Sequence, residues 1–377
     1  MEVFDKYFNF LSYYKWWKNL DKFIFSLVIC FFIIGLFFSL VSTSLIASDK
    51  LDTNSYFFFF KHLTFVAIGL LIIFILSYIE IKTLYLISIY IFFVSLILLI
   101  LVQIIGVEVK GSRRWLDLIF LPRIQPIEFV KPFFIIILAL IISNQRLTNY
   151  SIKFIFSFSL TFLIALLLIM QPDFGQTLLI SFIWITLIFV SGINLFLLLS
   201  FSFIGIASIL YVAFYIPKFQ YIKSRIISFF NTDTGTHNAQ SEKAIDSITS
   251  GGFFGKGIGE GTLKTRVPEA HTDYIISVIS EEFGVIAIIL ILLLFLIFIY
   301  SVFKKVENET NNTSRLILIG SGSLILLQAM IHIGVNIRLF PTTGMTLPFL
   351  SYGGSSIISV SILSGIILNL TKRKVQI

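Results

Sequence analysis

The sequence predicts an all-α, polytopic membrane protein with about ten transmembrane helices and one long outer loop. Two observations favour this class. Hydrophobic residues make up 57% of the 377-residue chain and charged residues only 13%, about half their usual share in soluble domains. Apolar stretches of roughly 18 residues or more recur along the whole chain, and each is long enough to span a bilayer as a helix.

The candidate spans occupy most of the chain. Their limits are residues 23–47, 62–79, 83–106, 126–143, 153–170, 174–191, 193–216, 273–302, 314–339 and 349–371. We therefore expect one membrane domain over residues 23–371, between an N-terminal segment (1–22) and a short tail (372–377). The first span is far longer than a signal-peptide core of roughly 7–15 residues, so we interpret it as a retained anchor.

Ten spans would place both termini on the same side of the membrane. Basic residues concentrate in the N-terminal segment, the tail and the loop after the eighth span, so the positive-inside rule predicts cytoplasmic termini in the inner membrane. The net charge of +8 also indicates contact with anionic membrane lipid. Nucleic acid is not an expected partner, because no basic stripe is interleaved with aromatic residues.

The outer side carries an unexpected excess of cations, and residues 217–272 form a long polar loop there. The outer cations are Lys110, Arg113, Arg114, Arg123, Arg225, Lys256, Lys264 and Arg266. Because these charges oppose the topology signal, they indicate an anionic ligand on the outer face.

The eighth span opens with Pro-Glu-Ala-His-Thr-Asp at residues 268–273. A helix that begins at Asp273 would place this carboxylate on the same face as Ser277 and Glu281, and that face would continue to Gly284. Carboxylates near a bilayer are costly and by default indicate function. The alternative is a helix cap, where the helix dipole stabilises a negative charge. Spacing alone does not decide between the two.

The fourth span begins with Gln-Pro-Ile-Glu-Phe-Val-Lys at residues 125–131. Glu128 and Lys131 are i, i+3 neighbours, so they can form an ion pair on one face of the helix. Such a pair is equally consistent with a structural contact near the interface and with a cavity wall, because desolvation offsets most of the attraction.

Just before this span, Arg113 and Arg114 adjoin Trp115. This grouping is typical of an aromatic belt with arginines that bind lipid headgroups. The alternative is a phosphate clamp beside an aromatic platform for a sugar.

Two glycine-rich segments remain. Residues 255–261 fail the pattern of a phosphate-binding loop because Gly follows Lys256, so a flexible turn is the favoured interpretation and a backbone nest for anions the alternative. Residues 341–356 hold two prolines and three glycines at membrane depth, which predicts non-helical backbone that is buried or lines a cavity. The N–H groups of residues 353–356 could hold an anion there, and a re-entrant structural turn is the alternative.

Metal chemistry has little support in the sequence. Cys30 is the only cysteine, so neither an intrachain disulfide nor a cysteine metal cluster is expected. The four histidines are too scattered to predict a ligand set, and we expect no metal site.

Six motifs, in this order, resemble the family of shape, elongation, division and sporulation proteins. They are GVEVKGSRRW (106–115), QPIEFVKP (125–132), QPDFGQT (171–177), GGFFGKGIGEGT (251–262), PEAHTDYIISVISEEFG (268–284) and RLFPTTGMTLPFLSYGGSS (338–356). The resemblance covers residues 20–371, approximately, and is closer to the division-type members than to the elongation-type members.

The resemblance implies a peptidoglycan glycosyltransferase that joins lipid II units into glycan strands at a site open to the outer leaflet. It also implies a class B penicillin-binding protein as transpeptidase partner, together with other membrane proteins of the division machinery. The cofactor stays unknown, because nothing in the sequence indicates the divalent cation that could serve at the pyrophosphate. A lipid II flippase and a non-catalytic division scaffold remain alternatives.

The resemblance also assigns residues. Asp273 matches the essential aspartate of the family, Trp115 matches the tryptophan of its Arg-Trp motif, and the 128/131 pair matches its charged pair. We expect Asp273 to be catalytic. The expected substrate contacts are Trp115, Arg113, Arg114, Glu128, Lys131, Arg225, Lys256, His271 and Ser355. The sequence departs from the family pattern at Ile127 (usually Ser), Tyr274 (commonly Phe) and His332 (often Asn), so we expect different local geometry around the fourth and ninth helices.

Overall fold

The computed structural model describes residues 10–50, 56–109, 112–118, 121–146, 149–192, 220–230, 236–262 and 270–372, with Val267 and isolated positions between 196 and 216. The described chain is mostly helical, as predicted. The helices are α1 (Phe10–Asn19), α2 (Lys22–Lys50), α3 (Phe57–Tyr78), α4 (Ile81–Ile105), α5 (Pro126–Ser143), α6 (Tyr150–Met170), α7 (Phe174–Val190), α8 (Gln220–Phe230), α9 (Thr236–Gly251), α10 (Ile275–Glu307), α11 (Asn312–Asn336) and α12 (Gly354–Leu370).

Nine of the ten predicted spans coincide with described helices, namely α2 to α7 and α10 to α12. The remaining span, residues 193–216, lies mostly outside the described residues. Among the described helices, seven are long and apolar enough to cross a membrane, whereas α7 and α12 are shorter, at 17 residues each. The chain is a multi-pass membrane protein.

Helices α5, α11 and α12 form the centre of the bundle. In α5 and α11, 72% of the residues in an 18-residue apolar stretch are buried. The corresponding share is 28% in α3, α4 and α6, whose remaining surface faces outward. Close approach depends on small residues, because apolar side chains gain little by leaving lipid. Gly69 of α3 faces Ser361 of α12, where a Cβ would clash with the serine hydroxyl. Farther along the same contact, the Asn369 side chain donates to the Leu76 and Ile79 carbonyls at 2.6 and 2.8 Å.

Two segments contain structure that the sequence analysis did not predict. Between α4 and α5 lies a small antiparallel sheet of β1 (Val107–Val109), β2 (Ser112–Leu118) and β3 (Leu121–Ile124), in the order β1-β2-β3. The expected loop over residues 217–272 contains α8 and α9. Both segments are too short or too polar to show the hydrophobic periodicity from which a strand or helix is predicted. The sequence pattern therefore indicated only the membrane spans.

Helix α10 is broken near its start. Gly284 has a φ of 75°, and the regular i→i−4 hydrogen bonds stop there. The glycine-rich segment after α9 replaces them. The N–H groups of Lys256 and Gly257 donate to the Glu281 and Glu282 carbonyls at 2.9 and 3.0 Å, and Val285 N–H donates to the Gly252 carbonyl at 3.0 Å. Every one of these backbone groups is therefore paired despite the break.

The glycine at the break is predicted to be obligatory. A Cβ at Gly284 would clash with the Phe253 carbonyl, so Gly284→Ala combines an unfavourable φ with a backbone clash. Gly252 has a φ of 57° but open space around it, so Gly252→Ala isolates the cost of the φ angle. We expect that control to lose roughly 1–2 kcal/mol of unfolding free energy and Gly284→Ala to lose clearly more. Thermal unfolding of the detergent-solubilised variants measures both losses of unfolding free energy. Equal losses in Gly284→Ala and Gly252→Ala would contradict the clash.

Candidate active site

One face of α11 holds the irregular segment that connects it to α12. The side chains of Gln328, His332 and Asn336 follow one another at i, i+4 and i+8, so they share this face. Gln328 donates to the Thr346 carbonyl at 3.0 Å, and His332 Nδ1 donates to the Met345 carbonyl at 2.7 Å. The predicted non-helical backbone at membrane depth is thus buried in protein and fixed by side chains.

Asp273 lies in the turn that precedes α10, at the same end of the bundle. Its carbonyl accepts from Asn336 Nδ2 at 3.1 Å, and its side chain is half-buried. The prediction that the helix begins at Asp273 is wrong: α10 begins at Ile275, with Tyr274 at the N-cap position. The predicted face reaches as far as Gly284, where α10 breaks. The Asn336 side chain therefore holds the backbone of Asp273 in the turn before α10.

Gly344 separates the Asp273 carboxylate from a guanidinium. A Cβ at Gly344 would lie 3.6 Å from Asp273 Oδ2 and 4.0 Å from Arg114 Nη1. The glycine also has a φ of 69°, which side chains rarely adopt. A carboxylate and a cation thus face the same small space, which the glycine leaves open.

Arg114 is bound on its other side by the turn before α7. Its Nε donates to the Gln171 carbonyl at 3.2 Å, Nη2 donates to the Pro172 carbonyl, and Nη1 lies 3.7 Å from Asp173 Oδ1. Asp173 is buried, caps α7 through the Gln176 N–H, and accepts from the Gln125 side chain at 3.2 Å. The turn therefore fixes the guanidinium in position.

Arg113 and Arg114 have different partners, and a joint phosphate clamp stays a prediction. Both arginines lie in β2, where the register with β1 shifts. Arg113 pairs with Glu108 at 3.5 Å, and both side chains are more than half exposed. Trp115 is half-buried and its backbone pairs with Val107 in the sheet. Sugar stacking on Trp115 stays a prediction.

The predicted ion pair of α5 is confirmed. Lys131 Nζ lies 2.8 Å from Glu128 Oε1, and both side chains are buried, at 0% and 3% exposure. Lys131 also donates to Gln328 Oε1 at 3.1 Å, and Gln176 Nε2 donates to Glu128 Oε1 at 3.0 Å. The pair therefore lies beneath the site, and direct contact with a substrate stays a prediction.

Two further predicted site residues, Ser355 and His271, lie near the start of α12. Ser355 Oγ accepts from the Gln125 N–H at 3.1 Å, at the start of α12. The His271 ring packs between Phe58 and Tyr352, with ring centroids 5.3 and 5.8 Å away.

Arg225 of α8 reaches the same region, whereas Lys256 does not. Arg225 Nη1 donates to the Thr342 carbonyl at 3.3 Å, two residues from Gly344. Burial raises the pKa of Tyr274, the Asp273 charge raises it further, and the Arg225 charge lowers it, so both charges act on this phenol. Lys256 lies 3.5 Å from Glu281 Oε1, at the break in α10. Lys110, Lys264 and Arg266 lie outside the described residues.

The structure thus brings Asp273, Arg114, Arg225, His271 and Ser355 to one end of the bundle. Sequence reasoning missed the roles of Gln125, Asp173, Gln328 and Gly344 there. Asp173 could have been found, since a carboxylate directly before an apolar run is a helix-cap signal. No group of three or more His, Cys, Asp or Glu side chains arranged to hold a metal ion occurs in the part of the chain that the structure describes.

Comparison with known proteins decides the family. The model of the cell cycle protein family that comprises FtsW, RodA and SpoVE matches residues 21–376. The chain belongs to this family. Among its relatives, a probable peptidoglycan glycosyltransferase FtsW of Coxiella burnetii is 32% identical over 87% of this chain and 90% of its own length. Stage V sporulation protein E of Bacillus subtilis is 31% identical over 90% and 93%.

Solved structures of the family share the fold. The chain is similar to a component of a peptidoglycan synthase complex that coordinates polymerization and crosslinking, with a TM-score of 0.75, 25% identity, and coverage of 93% of this chain and 97% of that one. It is similar to the rod shape determining protein RodA of Thermus thermophilus, with a TM-score of 0.67, 25% identity, and coverage of 94% and 97%.

The buried pair of α5 should show strong coupling. Removing one partner leaves a buried charge unpaired, so Glu128→Gln and Lys131→Met should each cost about 3–5 kcal/mol of unfolding free energy. The double variant should cost clearly less than the sum of the two. Denaturation in mixed detergent measures the cycle.

A matched control for this cycle is the exposed pair of Arg123 and Asp117, whose side-chain atoms are 3.1 Å apart. Solvent screens that pair, so its coupling should be at most about 1 kcal/mol. Additive losses at residues 128 and 131 would contradict a coupled buried pair.

Proposed function

We propose that this chain is a peptidoglycan glycosyltransferase that polymerises lipid II, with Asp273 as the general base. The observation that carries the proposal is the half-buried Asp273 carboxylate, which shares the space at Gly344 with the Arg114 guanidinium. Membership of the FtsW, RodA and SpoVE family supports the same reaction, and so do FtsW relatives that are named peptidoglycan glycosyltransferases.

The proposed chemistry is a single inverting displacement. The 4-hydroxyl oxygen of the acceptor sugar attacks the anomeric carbon of the donor, and the bond from that carbon to the undecaprenyl pyrophosphate breaks. The proton of the hydroxyl passes to Asp273 as the new bond forms. Its removal increases the electron density on the attacking oxygen. An α-linked donor and a β-linked product need only one inversion, so no protein nucleophile is required.

The leaving pyrophosphate needs positive charge close to Asp273. Arg225 is the side chain that we assign to it, because α8 brings its guanidinium to the segment that carries Gly344 and a guanidinium has five N–H donors. Arg114 contributes its charge from a fixed position, since its other contacts lie within the turn before α7. His271 and Ser355 border the same region and remain proposed substrate contacts.

We also propose that the chain acts with a class B penicillin-binding protein. The synthase complex to which it is similar joins polymerization with crosslinking, and a transpeptidase supplies the crosslinks. Lipid II as substrate, and further division proteins as partners, belong to the same proposal.

Asp273→Asn should abolish polymerisation while the protein folds normally. The change keeps the shape of the side chain and removes the base, so the rate should fall by about 10²–10⁴. The measurement is the amount of glycan strand that the purified protein forms from labelled lipid II. Asp246→Asn, an exposed carboxylate change on α9, is the matched control and should keep full activity.

Two results would sink this assignment. Wild-type polymerisation by Asp273→Asn would place the base elsewhere. Exchange of lipid II between leaflets without any glycan product, in the unmodified protein, would indicate a flippase instead.

We propose that the Asp273 end of the bundle faces outward from the inner membrane and that both termini are cytoplasmic. Phe254, beside the α10 break, is 83% exposed, and Lys304 is exposed at the opposite end of α10. In a Cys30→Ala background, Phe254→Cys should react with an impermeant maleimide in intact cells. Lys304→Cys should react only after the membrane is permeabilised, and the reverse pattern would invert the topology.

A further inference from the structure

A cavity of about 930 Å³ lies at the opposite end of the bundle from Asp273. It opens between the end of α5, the starts of α6 and α11, and the end of α7. Helix α5 alone separates the two ends by roughly 25 Å, at 1.5 Å per residue. The cavity therefore has no part in the proposed reaction site, although its size is that of a ligand pocket.

The charge of the cavity is one-sided. Lys153 and Arg315 are the charged residues of its lining, and the remaining lining residues are neutral. Within the described part of the chain, no ion pair joins either side chain to a carboxylate, and the one described contact of the Lys153 ammonium is with the Tyr150 ring, 5.6 Å from its centroid. An anion is the ligand that such a lining favours.

The two cations occupy equivalent and unfavourable positions. Helix α6 is capped by Asn149 and helix α11 by Asn311, and in each helix the cation is the fourth residue after the cap. A positive charge at a helix start opposes the helix dipole, so each cation adds to positive potential already present. The caps already accept from the N–H groups of Ser151, Thr313 and Ser314, so the two cations and the two helix dipoles are what the cavity offers a phosphate group.

The wall of the cavity is suited to an acyl chain. Ile155 and Phe154 line it, and from Phe154 a column of stacked rings continues along α6 through Phe158 to Phe162, with centroids 6.1 and 6.0 Å apart. Phe158 and Phe162 are exposed on the bundle surface. A ligand with a phosphate head and apolar chains would therefore place both parts in matching surroundings.

We propose that this cavity binds the headgroup of an acidic phospholipid, with the phosphate between Lys153 and Arg315 and an acyl chain along the Phe154 column. Basic pockets between transmembrane helices are known to hold such headgroups. The site is independent of the glycosyltransferase proposal, because its residues and its ligand take no part in that chemistry.

Thermal unfolding in lipid nanodiscs tests the proposal. Phosphatidylglycerol, added in increasing fraction to phosphatidylcholine, should raise the unfolding temperature of the wild type, since a ligand that binds only the folded state stabilises it. In Lys153→Gln/Arg315→Gln, the fraction needed for half the rise should increase by about fivefold for each cation removed.

Three controls make the test decisive. Lys304→Gln removes an exposed cation from the same end of the bundle but outside the cavity, and it should respond as the wild type does. Lys153→Arg/Arg315→Lys keeps both charges and should also respond normally, which separates lost charge from lost folding. Inorganic phosphate, added to phosphatidylcholine discs at matched ionic strength, should have little effect.

Any of three outcomes would overturn the proposal. One is a wild-type response in the double Gln variant. Another is an equal loss in Lys304→Gln, which would indicate only general surface charge. The third is full stabilisation by inorganic phosphate alone, which would make the site one for a soluble anion.

Discussion

Lys131 and Glu128 carry opposite charges in a part of the bundle that excludes water. Burying two charges is costly, and their mutual attraction offsets this cost only when further hydrogen bonds complete the site. Gln176 and Gln328 supply one such bond each, from α7 and α11, whereas Glu128 Oε2 is buried with no hydrogen bond from the described residues. Because the other end of Gln328 donates to the Thr346 carbonyl, the pair of α5 is linked to the segment that carries Gly344. The position of the candidate site thus depends on a buried contact that lies below it.

The same demand for paired polar groups explains the glycine-rich segment near α10. A break in a helix frees carbonyls and N–H groups, and each such group that is buried without a partner is costly. Residues 252–257 approach the break closely enough to pair with these groups only because Gly255 and Gly284 carry no side chain. Ser247 and Lys256 bind the buried Glu281 carboxylate beside them, at 2.9 and 3.5 Å. The segment therefore serves α10 itself, which favours the structural interpretation of its glycines.

The features that could be predicted from the sequence are those set by residues close together in the chain. The Glu128–Lys131 pair was predictable because both residues lie on one helix, three positions apart. The bundle was predictable because apolar length alone indicates a span. By contrast, the partners Gln176 and Gln328 come from helices distant in sequence, and no local spacing indicates them. The separate partners of Arg113 and Arg114 were not predictable either, because Glu108 and the turn at Asp173 come close to them only through the short β2 strand, which was not predicted.

The pairing of cations also changes how the charge of this chain is understood. The sequence shows many basic residues at the Asp273 end, and their number suggested an anionic ligand. In the structure, Arg113, Arg123 and Lys256 each contact a carboxylate of the chain itself, and Arg114 contacts Asp173. Many of these cations are therefore paired within the protein. A pyrophosphate would depend on a few cations placed close to Asp273, rather than on a general positive field. At the opposite end only two cations line the cavity, but no described carboxylate pairs with them. The number of charges at an end of this bundle is thus a poor guide to where an anion binds, and the pairing of each charge is a better one.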